Sequence, residues 1–154
     1  MQRPLRVVIC DDDPAFCNLV RRVLRDHVDV LGTAASADEV VPLLNDQQPD
    51  VLLLDLQLGT QMVLEVLPQL LIASPHTMVA ALSGLDAGTW EDQVLLAGAF
   101  VYYEKTSVLE LPALLEKDVT LFESALQGED VLAPSALGRR DGGVGSPGAG
   151  PAPT

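Results

Sequence analysis

Aromatic residues are scarce: Phe, Trp and Tyr make up 4% of the 154 residues. With 48% hydrophobic residues overall, the core has to be built from Leu, Val and Ala. Lysine is scarcer still. Only Lys105 and Lys117 occur, against seven arginines, so each lysine marks a place where the chain's habitual cation was not used. Cysteine is limited to Cys10 and Cys17, both in apolar stretches. That excludes a disulfide-stapled scaffold and reads as inert core thiols in a reduced compartment. No stretch approaches the ~20 apolar residues of a membrane span. Met1 to Arg6 is polar and the apolar run after it stops at Asp11, so no secretory segment is expected and the reading is cytoplasmic. Positive charge is missing too. A net charge of −13 argues against unaided nucleic-acid binding, which depends on Lys and Arg neutralising phosphates. It suits cations and basic partners instead.

What is present is one domain's length of alternating apolar patterns, followed by a tail. From Gly138 to Thr154, six of 17 residues are Gly and three are Pro. Such a composition cannot repay ordering entropy. The expected division is a folded domain over 1–127 and a Gly/Pro-rich disordered tail over 128–154.

Within the body, Leu5–Cys10, Val28–Ala34, Val51–Leu54, Met78–Leu82 and Phe100–Tyr103 are short, β-rich apolar runs, the signature of strands buried on both faces. Between them lie helical patterns. Pro14 sits at a first-turn position, ahead of Phe16, Leu19, Val20, Val23 and Leu24 at helical spacing. Ser36 and Glu39 form a capping box for a helix through Leu44. Further helices are expected over about 61–72, 86–97 and 108–126, the last stopped by Gly128. Five β–α units imply an α/β, doubly wound parallel sheet of five strands. On the last helix, Val108, Leu111, Leu115, Val119, Phe122 and Leu126 form the expected core stripe. Tyr102 is expected inside and Tyr103 outside, by alternation. His27 and His76 read as surface residues.

Ligands of such sheets bind beyond the carboxyl ends of the strands. Those ends carry Asp11, Asp12 and Asp13 after the first strand, Asp55 after the third, Ser83 at the fourth and Lys105 after the fifth. Clustered carboxylates repel each other, and a divalent cation relieves the repulsion. A carboxylate beside a metal, a hydroxyl and an ammonium can act as a nucleophile on phosphorus, because the same groups neutralise the transferring oxygens.

The segments VVICDDDP, PDVLLLDLQLG, VAALSG and GAFVYYEK, in this order and spacing, resemble those of response-regulator receiver domains, over roughly 5–127. The resemblance implies the flavodoxin-like (β/α)5 receiver fold. It implies Asp55 as the phosphorylation site, with Mg²⁺ held by Asp55, by Asp12 directly, by Asp11 through water and by the main-chain carbonyl of Gln57. Ser83 matches the switch hydroxyl, Gly84 the small residue that admits phosphate, Tyr102 the switch aromatic and Lys105 the phosphate-contacting lysine. Asp13 lies one place beyond the acidic pair, and no metal role is carried onto it. The chain departs from the pattern at Gly59, where receivers usually have Pro, at Val63, where they usually have Gly, and at Thr106, where many have a Pro preceded by a cis bond. A looser, differently shaped loop is expected after the third strand.

The implied protein accepts a phosphoryl group from a sensor histidine kinase or phosphotransfer protein. It catalyses only its own phosphorylation and dephosphorylation. It signals to a downstream protein, or to a second copy, through the fourth helix, fifth strand and fifth helix, where Leu114, Leu121, Tyr103 and Trp90 form a candidate apolar strip. YYEKTSVLEL resembles receivers of the LuxR-type helix-turn-helix subfamily. Here a Gly/Pro tail follows where those have a DNA-binding domain, so no direct nucleic-acid binding is expected. The alternative is a transcription regulator's receiver without its output domain. A further alternative is an aspartyl-nucleophile phosphatase using the Asp11–Asp13 run. It has Ala15 where that family has Thr or Val, and gives Asp55 no role.

Overall fold

The structure is a computed structural model, and it describes residues 3–85 and 87–128. The Gly/Pro-rich segment beyond Gly128 and the expected helix start at Asp86 lie outside the described residues.

Strands β1 (Leu5–Cys10), β2 (Val28–Ala34) and β3 (Val51–Leu54) alternate with helices α1 (Pro14–Leu24) and α2 (Ala37–Gln47). A two-stranded hairpin follows, β4 (Gln57–Leu58) and β5 (Gln61–Met62). Then come α3 (Leu67–Ala73), β6 (Met78–Ser83), α4 (Ala87–Ala97), β7 (Val101–Glu104) and α5 (Leu111–Leu126). Five strands pair in parallel in the order β2-β1-β3-β6-β7. The order reverses direction between β1 and β3, so the loops leaving these two strands diverge and open a crevice at their carboxyl ends.

Alternate side chains of each strand enter different layers. Val7, Ile9, Val51 and Leu53 pack with α1 and α5, while Val8, Cys10, Leu52 and Leu54 pack with α2, α3 and α4. Both faces of the sheet are therefore dry, which is why its strands are apolar without alternation. Cys10 and Cys17 are both buried, as expected of core thiols. Burial first, with help from Asp11 and Asp55, pushes the Cys10 thiol up to about 12.

The helix starts follow local chemistry. Asp13 caps α1 by accepting the Ala15 N–H at 3.0 Å, with Pro14 in the first turn. Ser36 caps α2 through the Glu39 N–H at 3.2 Å, and the Glu39 carboxylate reaches back to the Ala35 N–H at 2.8 Å.

Several expectations need correction. The helix expected over about 61–72 begins only at Leu67, because Pro68 has no N–H and its ring bars a preceding helical turn. The residues before it form the β4–β5 hairpin and one 3₁₀ turn, Val63–Glu65. The hairpin turns at Gly59, whose φ of +61° is costly for other residues. With Val63 buried and its N–H on the Leu56 carbonyl at 2.9 Å, this loop is differently shaped but not loose. The last α-helix likewise starts at Leu111, with Pro112 in its first turn, after a 3₁₀ segment over Lys105–Glu110. Leu126, assigned to the core stripe, is exposed, while Val108, Leu111, Leu115 and Val119 are buried.

A further correction concerns β7. Alternation places Tyr103 outside only if one face of the sheet is wet. Here it is buried against α5, where its hydroxyl donates to Asp118 Oδ2 at 2.6 Å. Burial and this acceptor push the Tyr103 phenol well above its usual range. The other carboxylate oxygen of Asp118 accepts no hydrogen bond and has Lys117 Nζ at 3.6 Å. Tyr103→Phe strips the buried carboxyl group of its remaining hydrogen bond and is expected to cost roughly 2 kcal/mol. Urea unfolding should show that loss, and Tyr103→Phe combined with Asp118→Leu should recover much of it.

Candidate functional site

The site is built by strand ends. Cys10 and Leu54 are register partners across β1 and β3, and the Asp55 N–H continues the ladder to the Cys10 carbonyl at 2.9 Å. Asp11 and Asp55 are thereby held side by side. Carboxylate oxygens of Asp11, Asp12 and Asp55 all lie within 4.8 Å of one another, with Asp11 and Asp55 buried and Asp12 exposed. Burial, then the neighbouring Asp11 charge, raises the Asp55 carboxyl above its usual range.

Lys105 answers this charge from the end of β7. Its ammonium is 2.8 Å from Asp11 Oδ2 and 3.5 Å from Asp55 Oδ2. Burial by itself would lower its pKa. The hydrogen bond to Asp11 and the charges of Asp55 and Asp11 outweigh that, and the ammonium is held above its ordinary range.

Three further carboxylate oxygens accept backbone N–H groups. Asp11 Oδ1 accepts the Asp13 N–H at 2.9 Å, and Asp55 Oδ1 accepts the Gln57 N–H at 3.3 Å. Asp12 Oδ2 accepts the Gly59 N–H at 2.7 Å, so the β4–β5 hairpin reaches across to β1. Ser83, at the end of β6, is buried, and its Oγ accepts the Leu85 N–H at 3.0 Å. Tyr102, half-buried on the α4 side, donates its hydroxyl to the Leu85 carbonyl at 2.7 Å. Gly84 is exposed beside Lys105, and a Cβ there would lie 4.0 Å from Lys105 Cδ.

The donor set suits a hard divalent cation. Three carboxylates meet around one point with a single ammonium among them, and oxygen-only ligands of this kind fit Mg²⁺. Asp11, Asp12 and Asp55 would hold it, and a bound ion would polarise phosphoryl oxygens there.

The structure brings together Asp11, Asp12, Asp55 and Lys105, all named from the sequence. Gln57 is on β4, Ser83 ends β6, Gly84 follows it and Tyr102 is on β7. Asp13 is a helix cap, consistent with its exclusion. The Lys105–Thr106 bond is trans, as for every peptide among the described residues. Sequence reasoning missed two parts. Leu85 is one, because its role is carried by its backbone, which no side-chain motif reveals. Phe16 is the other. It reads as a member of the α1 apolar stripe, yet its ring lies under the Lys105 ammonium, 4.4 Å from centroid to Nζ. The candidate apolar strip is also revised. Tyr103 is buried, while Trp90 and Leu114 are half-buried against the two core layers.

The model of the response regulator receiver domain family matches residues 7–116. The probable transcriptional regulatory protein TcrX of Mycobacterium tuberculosis is 32% identical over 133 residues, covering 81% of this chain and 56% of TcrX. The uncharacterized transcriptional regulatory protein YxjL of Bacillus subtilis is 26% identical over 130 residues, covering 83% of this chain and 57% of YxjL. The chain thus spans little more than half the length of these curated relatives. Among solved structures, the signal receiver domain of NarL from Mycobacterium tuberculosis superposes with a TM-score of 0.65 at 28% identity, over 75% of this chain and 96% of that one. Asp55, which has no role in the phosphatase alternative, is one of the three clustered carboxylates. The chain belongs to the response regulator receiver domain family of two-component systems.

Proposed function

We propose that this chain is a phospho-accepting response regulator, with Asp55 as the acceptor. The observation that carries the reading is the convergence of the Asp11, Asp12 and Asp55 carboxylates with the Lys105 ammonium 3.5 Å from Asp55. The donor is a phosphohistidine of a sensor histidine kinase or phosphotransfer protein. An Asp55 oxygen forms the new O–P bond as the P–N bond of the donor breaks. The imidazole leaves with that electron pair and takes a proton from solvent. Lys105 meets the charge on the phosphoryl oxygens, and Asp11, Asp12, Asp55 and the Gln57 carbonyl hold Mg²⁺. The protein acts on no other substrate in this reading, and hydrolysis of its own acyl phosphate resets it. No helix among the described residues is long and apolar enough to cross a membrane. As the partner of a sensor kinase in this reading, the protein is cytoplasmic. Incubating the full chain with phosphoramidate and Mg²⁺ tests the reading. The expected product is an acyl phosphate, labile to hydroxylamine and mapped to Asp55 by mass spectrometry.

Readout runs through Leu85. Ser83 and Tyr102 both hold its backbone, one at the N–H and one at the carbonyl. Phosphoryl on Asp55 recruits the Ser83 hydroxyl as a donor and frees the Leu85 N–H, which biases the loop and Tyr102 towards a second arrangement. Output then passes to the face of α4, β7 and α5, where β7 is an edge strand. The occupant of that face is a downstream protein or a second copy. Ser83→Ala should still be phosphorylated but respond about fivefold less or worse. Emission of the single tryptophan, Trp90 on α4, on adding beryllofluoride and Mg²⁺ provides the measurement.

The transcription-regulator alternative is favoured by one observation: the curated relatives named above are transcriptional regulators of which this chain spans little more than half. In that case the receiver controls an output module, and DNA binding resides there, not in this acidic domain.

A further inference from the structure

We propose that Phe16 is a positioning residue for phosphoryl transfer, holding the Lys105 ammonium in place through its ring face; the proposal rests on Asp55 being the phosphoacceptor. Lys105 ends a flexible four-carbon stem, and its side chain is 24% exposed. Its closest partner is Asp11 at 2.8 Å, just after β1, whereas the phosphoryl group grows on Asp55, 3.5 Å away. An ammonium tethered by Asp11 alone could swing about that one contact. The Phe16 ring, with its centroid 4.4 Å from Nζ, supplies a third point of attachment. That distance is well inside the ~6 Å range of cation–π attraction.

The ring is itself fixed. Phe16 lies in the first turn of α1, behind the Asp13 cap and Pro14, and packs half-buried against the α1–α5 core layer. One run of six residues, Asp11 to Phe16, thus supplies both the salt bridge to Lys105 and the aromatic surface beneath it. An aromatic face also does what a further acid could not. Another carboxylate would grip the ammonium but compete with phosphoryl oxygens for its N–H donors and for metal. The ring attracts the cation without adding an oxygen to a crevice that already holds three carboxylates.

The scarcity of lysine makes the test direct. In the full chain labelled with ¹³C-lysine, only Lys105 and Lys117 give signals, and Lys117, with its side chain 62% exposed, is an internal reference. The Lys105 Hε protons are expected upfield of those of Lys117, shifted by the ring current. Phe16→Leu should bring them together, and Phe16→Tyr should restore the separation. Phosphorylation by phosphoramidate should be roughly three- to tenfold slower in Phe16→Leu, with Mg²⁺ affinity by calorimetry unchanged, and should recover in Phe16→Tyr. Circular dichroism checks folding, and Phe16→Met takes the place of Phe16→Leu should the latter not fold. Equal rates in wild type and the aliphatic variant, no ring shift on Lys105, or a rate loss that Phe16→Tyr leaves in place each overturn the role of Phe16. Wild type that takes up no phosphoryl group overturns the phosphoacceptor reading and this proposal together, an outcome distinct from all of these.

Discussion

Asp55→Asn is expected to take up no phosphoryl group, from a phosphohistidine donor or from phosphoramidate, while remaining folded. The amide is nearly the size of the carboxylate but is no nucleophile towards phosphorus. Loss should be complete within detection, because Asp11 is engaged with Lys105 at 2.8 Å and Asp12 with the Gly59 N–H at 2.7 Å. The same substitution should raise thermal stability in metal-free buffer. The Asp55 carboxyl is raised by burial and by Asp11, so its charged form is less comfortable folded than unfolded. A group of this sign costs stability above its raised pKa, and a neutral isostere removes that cost. Phosphoryl incorporation by mass spectrometry and a melting curve in EDTA check the two halves separately. A phosphorylated Asp55→Asn protein would place the acceptor elsewhere.

Asp12→Ala comes second in expected size. It removes one of three converging carboxylates and the one exposed to solvent. Mg²⁺ affinity should fall by roughly a hundredfold, and Mg²⁺-dependent phosphorylation should vanish at millimolar metal. It also releases the β4–β5 hairpin, which holds Asp12 through Gly59. Asp13→Ala is the informative contrast. Asp13 caps α1, so its loss should cost about 1 kcal/mol of stability and leave Mg²⁺ affinity nearly unchanged. Calorimetric titration of Mg²⁺ into wild type and both variants separates three adjacent aspartates by role. Equal metal affinity in Asp12→Ala and wild type would remove Asp12 from the ligand set.

The acidic cluster was legible because it sits where parallel strands end, and strand ends can be read from apolar runs that stop at polar residues. Asp11, Asp55 and Lys105 needed no loop geometry to be found. What lay beyond reach depended on partners distant in the chain. Tyr103 was assigned to the surface by alternation, a rule that assumes solvent on one side, but α5 covers that side and supplies Asp118. The β4–β5 hairpin escaped because Gln61 to Ile72 carries helical apolar spacing throughout. Only Pro68 hinted that a helix could not run through it. Phe16 escaped for the opposite reason. Its spacing fitted the core stripe, and the stripe is real, but the same ring also reaches a cation contributed by β7. Periodicity reports which way a side chain points and is silent about what arrives there from elsewhere.

The strand order has a consequence for how the protein comes to exist. β1 finds both of its partners, β2 and β3, within the first 54 residues. A chain emerging N-terminus first can therefore close the middle of its sheet early. That closure draws Asp11, Asp12 and Asp55 together while Lys105, 50 positions beyond Asp55, is still to come. The half-made sheet carries a knot of negative charge with no cation of its own. Arrival of β7 is then more than the addition of an edge, since it delivers the ammonium that discharges the knot. Until it does, the three carboxylates depend on ions from solution for counter-charge.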